Sequence, residues 1–109
     1  MTDSIEFDLI IAGSGLAGLR AAIEAAKKNS KIKIGVIAKT QVMRSHSVSA
    51  EGGTAAVIQE EKGDTIESHI YDTVKGSDFL ADQDTAEKLC HMIPNEIFQL
   101  EHWGMPWSR

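Results

Sequence analysis

Two short stretches of the sequence carry residue types and spacings that suit the binding of a flat, phosphorylated cofactor. The first has glycines at positions 13, 15 and 18. The second, residues 44–53, holds a single histidine, His46, among mostly small residues. Backbone without bulky side chains can approach a phosphate or a ring closely, and imidazole is chemically versatile. We predict that both stretches bind one molecule, a flavin dinucleotide. The alternatives are a glycine turn without a ligand and a histidine on an ordinary loop.

The glycine stretch lies between a predicted strand and a predicted helix. Residues 7–12 form a nearly continuous apolar run, which is typical of a buried parallel strand. Residues 16–28 are rich in alanine and carry apolar side chains at helical spacing, and residues 31–38 indicate a second strand. Strand, glycine turn, helix and strand within about 30 residues make a βαβ unit. The predicted fold class is therefore α/β, with a Rossmann-like FAD-binding βαβ unit followed by helices and incomplete as it stands.

In such a unit, each glycine has its own function. The first allows the tight turn, the second lets the backbone approach a pyrophosphate, and the third lets the helix pack closely on the strand. The N-terminus of the helix then offers unpaired N–H groups to the phosphates. An acidic residue usually follows the second strand to bind ribose, but Ala38, Lys39 and Thr40 stand there, which disfavours a plain NAD site. Lys39 or Thr40 could instead bond the ribose or a phosphate.

Further contacts are predicted in the second stretch. Arg44 is either a surface charge or a phosphate partner. Glu51 is either an acid at a helix N-terminus, where carboxylates are favourable, or a partner of a ribose hydroxyl. The complete predicted set of cofactor-binding residues is Gly13, Ser14, Gly15, Leu16, Ala17, Gly18, Ala38, Lys39, Thr40, Ser45, His46, Ser47, Ser49, Ala50, Glu51, Gly52, Gly53 and Thr54.

Helices are predicted after residue 63. Asp64 or Thr65 caps a helix that continues to about Lys75, and residues 76–78 interrupt it.

A further helix is capped by Asp82 or Asp84, and Cys90 lies on its apolar face as a core residue. Pro94 is predicted to begin yet another helix, because its fixed φ is tolerated in a first turn.

Composition and charge exclude several classes of protein. The 109 residues carry a net charge of −5 without a basic block, so no nucleic-acid partner is predicted. One cysteine allows no intramolecular disulfide. No metal site is predicted, since His69, His91 and His102 lack the spacing of metal ligands. No apolar run approaches the ~20 residues of a membrane span, and residues 1–6 resemble no targeting peptide. Membrane association is therefore expected only through partners.

Four segments resemble the flavoprotein subunit of succinate dehydrogenase and fumarate reductase, in the same order and at compatible spacing. They are RSHS at 44–47, AEGGTAA at 50–56, DTVKGSD at 72–78 and WGMPWSR at 103–109. The resemblance covers essentially the whole chain and leans slightly to fumarate reductase. It implies that a ring nitrogen of His46 is covalently joined to the 8α carbon of FAD. The missing acid after the second strand is also common in that family.

The resemblance implies an oxidoreductase that interconverts fumarate and succinate. Its partners would be an iron–sulfur subunit and membrane quinone-binding subunits, which place it peripherally on the cytoplasmic face of the inner (cell) membrane. The family's catalytic residues lie beyond the position matching Arg109, so no catalytic residue is predicted here. In that family the segment around Pro106 and Arg109 lies near the flavin domain, which implies a further candidate contact with the cofactor. Two alternatives stay open: a noncovalent FAD oxidase that is similar to aspartate oxidase, and a non-catalytic nucleotide-binding fragment.

The resemblance also implies that residues 1–109 are the amino-terminal part of an FAD-binding domain, without the rest of that domain and without the capping domain. Two parallel strands with apolar faces need neighbouring strands. We expect the isolated chain to aggregate or to be partly molten, and not to retain FAD.

Overall fold

The computed structural model describes residues 3–108, apart from the side chain of Glu61. Met1, Thr2 and Arg109, to which some of the expectations refer, lie outside the described residues. The chain is α/β and forms two compact units, which divide between Gly52 and Gly53.

The first unit is the predicted βαβ arrangement. Strand β1 (Leu9–Ala12) is followed by helix α1 (Leu16–Lys28) and strand β2 (Ile34–Ile37). The two strands pair in parallel, and their register matches Leu9 with Ile34 and Ala12 with Ile37. Helix α1 begins and ends at the residues predicted from its alanine-rich pattern, and Lys27 and Lys28 lie in its last turn, where cations favour the helix dipole.

Both strands are shorter than predicted, with four residues each instead of residues 7–12 and 31–38. Pairing begins only at Leu9 and Ile34, because a side chain in place of a backbone carbonyl accepts the N–H of the residue before β2. The Asp8 carboxylate accepts the N–H of Lys33 at 2.8 Å, and the Lys33 carbonyl accepts the N–H groups of both Asp8 and Leu9. Ile10 and Ile37 are 55% and 56% exposed, so within residues 3–108 the strands are not buried on both faces as predicted. A two-stranded sheet with one helix leaves edges and faces uncovered.

The first unit continues into a short helical segment, for which no secondary structure was predicted. A 3₁₀ turn (Val42–Arg44) leads into the four-residue helix α2 (His46–Ser49). Ser45 caps α2, because its hydroxyl oxygen accepts the N–H of Val48 at 3.3 Å.

The second unit is built on two longer helices. After a 3₁₀ turn (Glu60–Lys62) come α3 (Ile66–Gly76) and α4 (Gln83–His102), which pack against each other. Thr65 caps α3 and Asp82 caps α4, which decides both open alternatives for the capping residues. The core of this unit consists of Val57, Val74, Ala86, Cys90 and Ile97.

The predicted boundary at Pro94 is wrong, because α4 runs through it as one helix of 20 residues. Proline in a helix interior removes one hydrogen bond and normally disfavours the helix. Here Ala86, Cys90 and Ile97 are buried on both sides of Pro94, at spacings of about one and two turns. This continuous apolar face offsets the missing bond and keeps the two halves in one helix.

Candidate functional site

The glycine turn of the first unit has the geometry that a close approach of helix and strand requires. Gly13 has φ of +124°, a conformation that favours glycine, and its N–H donates to the carbonyl of Ile37 at 2.8 Å. A Cβ atom on Gly18 would overlap the carbonyl oxygen of Gly13 and touch the Ile11 side chain. The prediction that Gly18 permits close packing of helix on strand is therefore confirmed in structural terms. The turn is also tied to the end of β2.

Helix α1 begins with backbone donors that have few partners. Its N-cap, Gly15, has no side chain to accept a hydrogen bond. The N–H of Leu16 donates to the Ser47 hydroxyl at 2.9 Å, whereas the amides of Ala17 and Gly18 have no acceptor within residues 3–108. Unsatisfied amides and the positive dipole end favour an anion at this position. This end of α1 fits a phosphate group.

The second predicted stretch lies directly against the glycine turn. The Ser47 hydroxyl oxygen lies 3.3 Å from the position that a Cβ on Gly15 would occupy, and the Cβ of Ser45 lies 3.9 Å from it. His46 stands between these two serines as the first residue of α2, with an exposed side chain. The structure therefore brings together two stretches that are about 30 positions apart in the sequence.

Residues 38–40 also lie at this edge of the sheet. They follow β2 directly, and the last residue of β2 pairs with the last residue of β1, which precedes the glycine turn. Ala38 is half-buried, while Lys39 and Thr40 are exposed. Ligands of open α/β sheets bind outside the carboxyl ends of the strands, and these three residues occupy that place.

The remaining predicted residues are less well connected. Ala50, Glu51 and Gly52 are exposed and non-helical, so the interpretation of Glu51 as an acid at a helix N-terminus is wrong. The chain leaves α2 at Ala50 in an extended conformation, and the described residues between Ala50 and Glu60 begin no helix. Gly53 and Thr54 belong to the second unit, where Thr54, Lys62 and Trp107 help to line a cavity of about 570 Å³.

Sequence reasoning missed the contact that joins the two stretches. Nothing in the pattern of alternating serines shows which hydroxyl reaches the glycine turn. It also missed the packing of Gly35 under the Phe7 ring, whose carbons lie 3.0 Å from the position of a Cβ on Gly35. An aromatic residue just before one strand and a glycine inside the next were the only available signals.

Two cations of the first unit lie beside a carboxylate on α1. Arg20 and Lys27 each lie 3.1 Å from the Glu24 carboxylate on α1. The hydrogen bond from Lys27, with the positive charges of Lys27 and Arg20, holds the pKa of Glu24 below its ordinary value of 4.5. In the described part of the chain, no group of three His, Cys, Asp or Glu side chains could hold a metal ion. The backbone amides at the start of α1 and the Lys39 side chain at the same edge of the sheet are the candidate groups for a phosphate.

Comparison with known proteins agrees with this geometry. The FAD binding domain family matches residues 8–109. The chain belongs to this family. Among curated relatives of this FAD-binding chain are the fumarate reductase flavoprotein subunit of Escherichia coli, 52% identical over 97% of the chain, and the succinate dehydrogenase flavoprotein subunit of Coxiella burnetii, 45% identical over 95%. The resemblance stated from the sequence is confirmed.

Solved structures also resemble this FAD-binding chain. A structure of E. coli quinol fumarate reductase superimposes with a TM-score of 0.87 at 51% identity, covering 99% of this chain and 18% of its own. The Mycobacterium smegmatis Sdh1 complex matches at a TM-score of 0.84 and 34% identity, covering 94% and 17%. The chain thus spans less than a fifth of the length of the relatives it matches. No helix within residues 3–108 is long and apolar enough to cross a membrane.

Proposed function

We propose that this chain is the amino-terminal part, residues 1–109, of the FAD-binding domain of a longer flavoprotein that interconverts fumarate and succinate. The names of the relatives support this activity, and their identities of 45–52% extend over nearly the whole chain. FAD is held in the first unit, with its diphosphate at the start of α1. His46 is joined to the 8α carbon of the flavin through a ring nitrogen.

One observation carries the proposal: the hydrogen bond of 2.9 Å between the Leu16 N–H and the Ser47 hydroxyl. It places the turn that bears His46 beside the two free amides of α1. A dinucleotide with its diphosphate at those amides therefore has an imidazole near its binding site. Lys39 and Thr40, at the same edge of the sheet, supply polar groups for the ribose or a phosphate.

When bound, the flavin supplies two-electron redox chemistry, and the protein positions and tunes it. The His46 imidazole would hold the flavin through a ring nitrogen, and an external two-electron acceptor such as dioxygen or fumarate would take up the two hydrogens that this attachment releases. The electron-poor substituent should raise the flavin potential, so that succinate can reduce it. His46 thus has a tethering and tuning function and no part in proton transfer.

The proposed partners are an iron–sulfur subunit and membrane subunits that bind a quinone. Two similar structures support them, since one is a quinol fumarate reductase and the other is the Sdh1 complex. In this proposal the flavoprotein lies on the cytoplasmic face of the cell membrane and is attached through those partners. The electrons would pass between flavin and quinone.

The test compares the complete protein that contains this chain with its His46→Ser variant. After acid denaturation, the parent should retain flavin absorbance on the polypeptide, and mass spectrometry should place the flavin on the peptide containing His46. The variant should release all its flavin on denaturation, because no other group replaces the imidazole. His102→Ser is the matched control, since this exposed histidine at the end of α4 lies in the second unit. Free flavin from the parent would instead indicate a noncovalent FAD oxidase.

A further inference from the structure

The three serines around His46 differ in what their hydroxyl groups contact. The Ser45 hydroxyl accepts the N–H of Val48, and the Ser49 hydroxyl donates to the Ser45 carbonyl, both at 3.3 Å and both within the same turn. The Ser47 hydroxyl alone, among the described hydrogen bonds of these serines, reaches a distant segment. It accepts the Leu16 N–H at 2.9 Å, across 31 positions of sequence.

Helix α2 depends on such a contact for its position. It has only four residues, and a helix this short is not stable by itself. None of its residues is buried, so side-chain packing does not fix it either. The polar contact that connects it to α1 is the one made by Ser47, the neighbour of His46. The orientation of His46 therefore depends on this hydroxyl group.

We infer that Ser47 is a positioning residue that holds the His46 turn against the start of α1 and thereby sets the rate at which His46 becomes attached to the flavin. The inference rests on the proposed covalent attachment. It assigns Ser47 to orientation of the imidazole, whereas the amides of Ala17 and Gly18 remain available for the diphosphate. Ser47 should thus matter more for attachment than for FAD binding. Reactions between held groups are sensitive to displacements of about 1 Å.

Removal of the hydroxyl tests this inference in the complete protein. Ser47→Ala should slow the formation of acid-stable flavin, after FAD is added to apoprotein, by about three- to tenfold, the effect of one hydrogen bond. Ser47→Thr keeps the hydroxyl and should restore most of the rate. FAD affinity is measured separately in a His46→Ser background, where no attachment occurs, and there Ser47→Ala should raise Kd by a clearly smaller factor than the factor by which it slows attachment. Ser30→Ala, in the exposed turn before β2, is the matched control for the substitution itself.

The donor can be removed as well, which keeps the test decisive if one variant folds poorly. Leu16→Pro lacks the N–H, and proline is well tolerated at the first position of a helix. Gly15 has φ −73° and ψ −177°, an extended conformation that suits a residue before proline. If the two groups act as a pair, the double variant Leu16→Pro with Ser47→Ala should slow attachment no more than the slower single variant.

The outcomes separate the two proposals. A parent without covalent flavin overturns the proposed attachment, and this inference with it. A parent with covalent flavin and an unchanged attachment rate in Ser47→Ala overturns only the function assigned to Ser47. Equal losses of attachment rate and FAD affinity would make Ser47 a diphosphate ligand instead of a positioning residue. Multiplicative effects in the double variant would show that Leu16 and Ser47 act independently.

Discussion

The two units of this chain are ordered by different physical means. In the first unit, α1 and α2 have no buried residue, and the glycine turn is defined by backbone conformation, close backbone approach and hydrogen bonds. In the second unit, side chains pack: all the buried hydrophobic residues found within residues 3–108 belong to it, and Cys90 is only 1% exposed. The unit that holds most of the predicted site residues is therefore not the unit with the core. The main chain, and not the packing of side chains, therefore fixes the geometry of the first unit.

The largest effect that this comparison predicts is that of Gly18→Ala. The added Cβ would meet the Gly13 carbonyl oxygen, which is backbone and cannot rotate away. We expect FAD binding by the complete protein to weaken by about 100-fold or more, equivalent to ~3 kcal/mol, measured by flavin fluorescence titration.

Gly76→Ala is the matched control in the second unit. A Cβ at Gly76, the last residue of α3, has open space, and alanine favours a helix over glycine. This variant should bind FAD as the parent does and melt at the same or a slightly higher temperature. Normal FAD binding by Gly18→Ala would refute the idea that close backbone approach orders the first unit.

Ile97→Ala addresses the other half of the comparison and should have an intermediate effect. Ile97 is 8% exposed and lies in the core of the second unit. Truncation should lower the free energy of unfolding by about 2 kcal/mol, the lower end of such changes, because this core is thin. Leu89→Ala, at a residue of the same helix that is 51% exposed, should cost much less. Thermal unfolding measures the loss of unfolding free energy in both variants. A loss of FAD affinity that equals the loss in Gly18→Ala would show that the two units do not act separately.

The smallest predicted effect is a dependence of α4 on pH. Hydrogen bonds from the backbone and side chain of Thr85 hold the pKa of Asp82 below its ordinary value of 3.8. A carboxylate with a lowered pKa in the folded state stabilises above its unfolded pKa, and this stabilisation is lost as the pH falls through the folded value. Asp82→Asn keeps an acceptor for the helix cap but does not titrate. The stability difference between parent and variant should therefore shrink on acidification from about pH 6 to about pH 3, followed by circular dichroism. A constant difference over this range would contradict the assignment.

Much of the fold could be predicted from local signals. The bounds of α1 follow from its alanines and from the glycine turn before it, and the caps of α3 and α4 follow from residues whose side chains accept early amide hydrogens. These features depend on neighbours within a few positions. The family followed from motifs that extend along nearly the whole chain, and the matching of residues 8–109 confirms it.

The features that sequence reasoning did not predict depend on distant partners. The residues next to Pro94 in the sequence predict the start of a helix there, but burial of Cys90 and Ile97 on one face keeps α4 continuous. The strands begin later than predicted because the Asp8 carboxylate accepts the N–H of Lys33. These two residues are 25 positions apart, and only the pairing of the strands brings them together. The same limit applies at the candidate site. The two stretches that meet there could be proposed from the sequence, but the bond from Leu16 to Ser47 could not.

The two tryptophans of this chain allow unfolding of the second unit to be followed by fluorescence. Both lie in the second unit, at positions 103 and 107, and the Trp107 indole N–H donates to the Ile97 carbonyl at 3.2 Å. Unfolding of α4 breaks that bond and exposes the indole to water, which shifts its emission to the red. With FAD bound to the first unit as proposed, the visible absorbance of the flavin would report on that unit, and the tryptophan emission would report on the second.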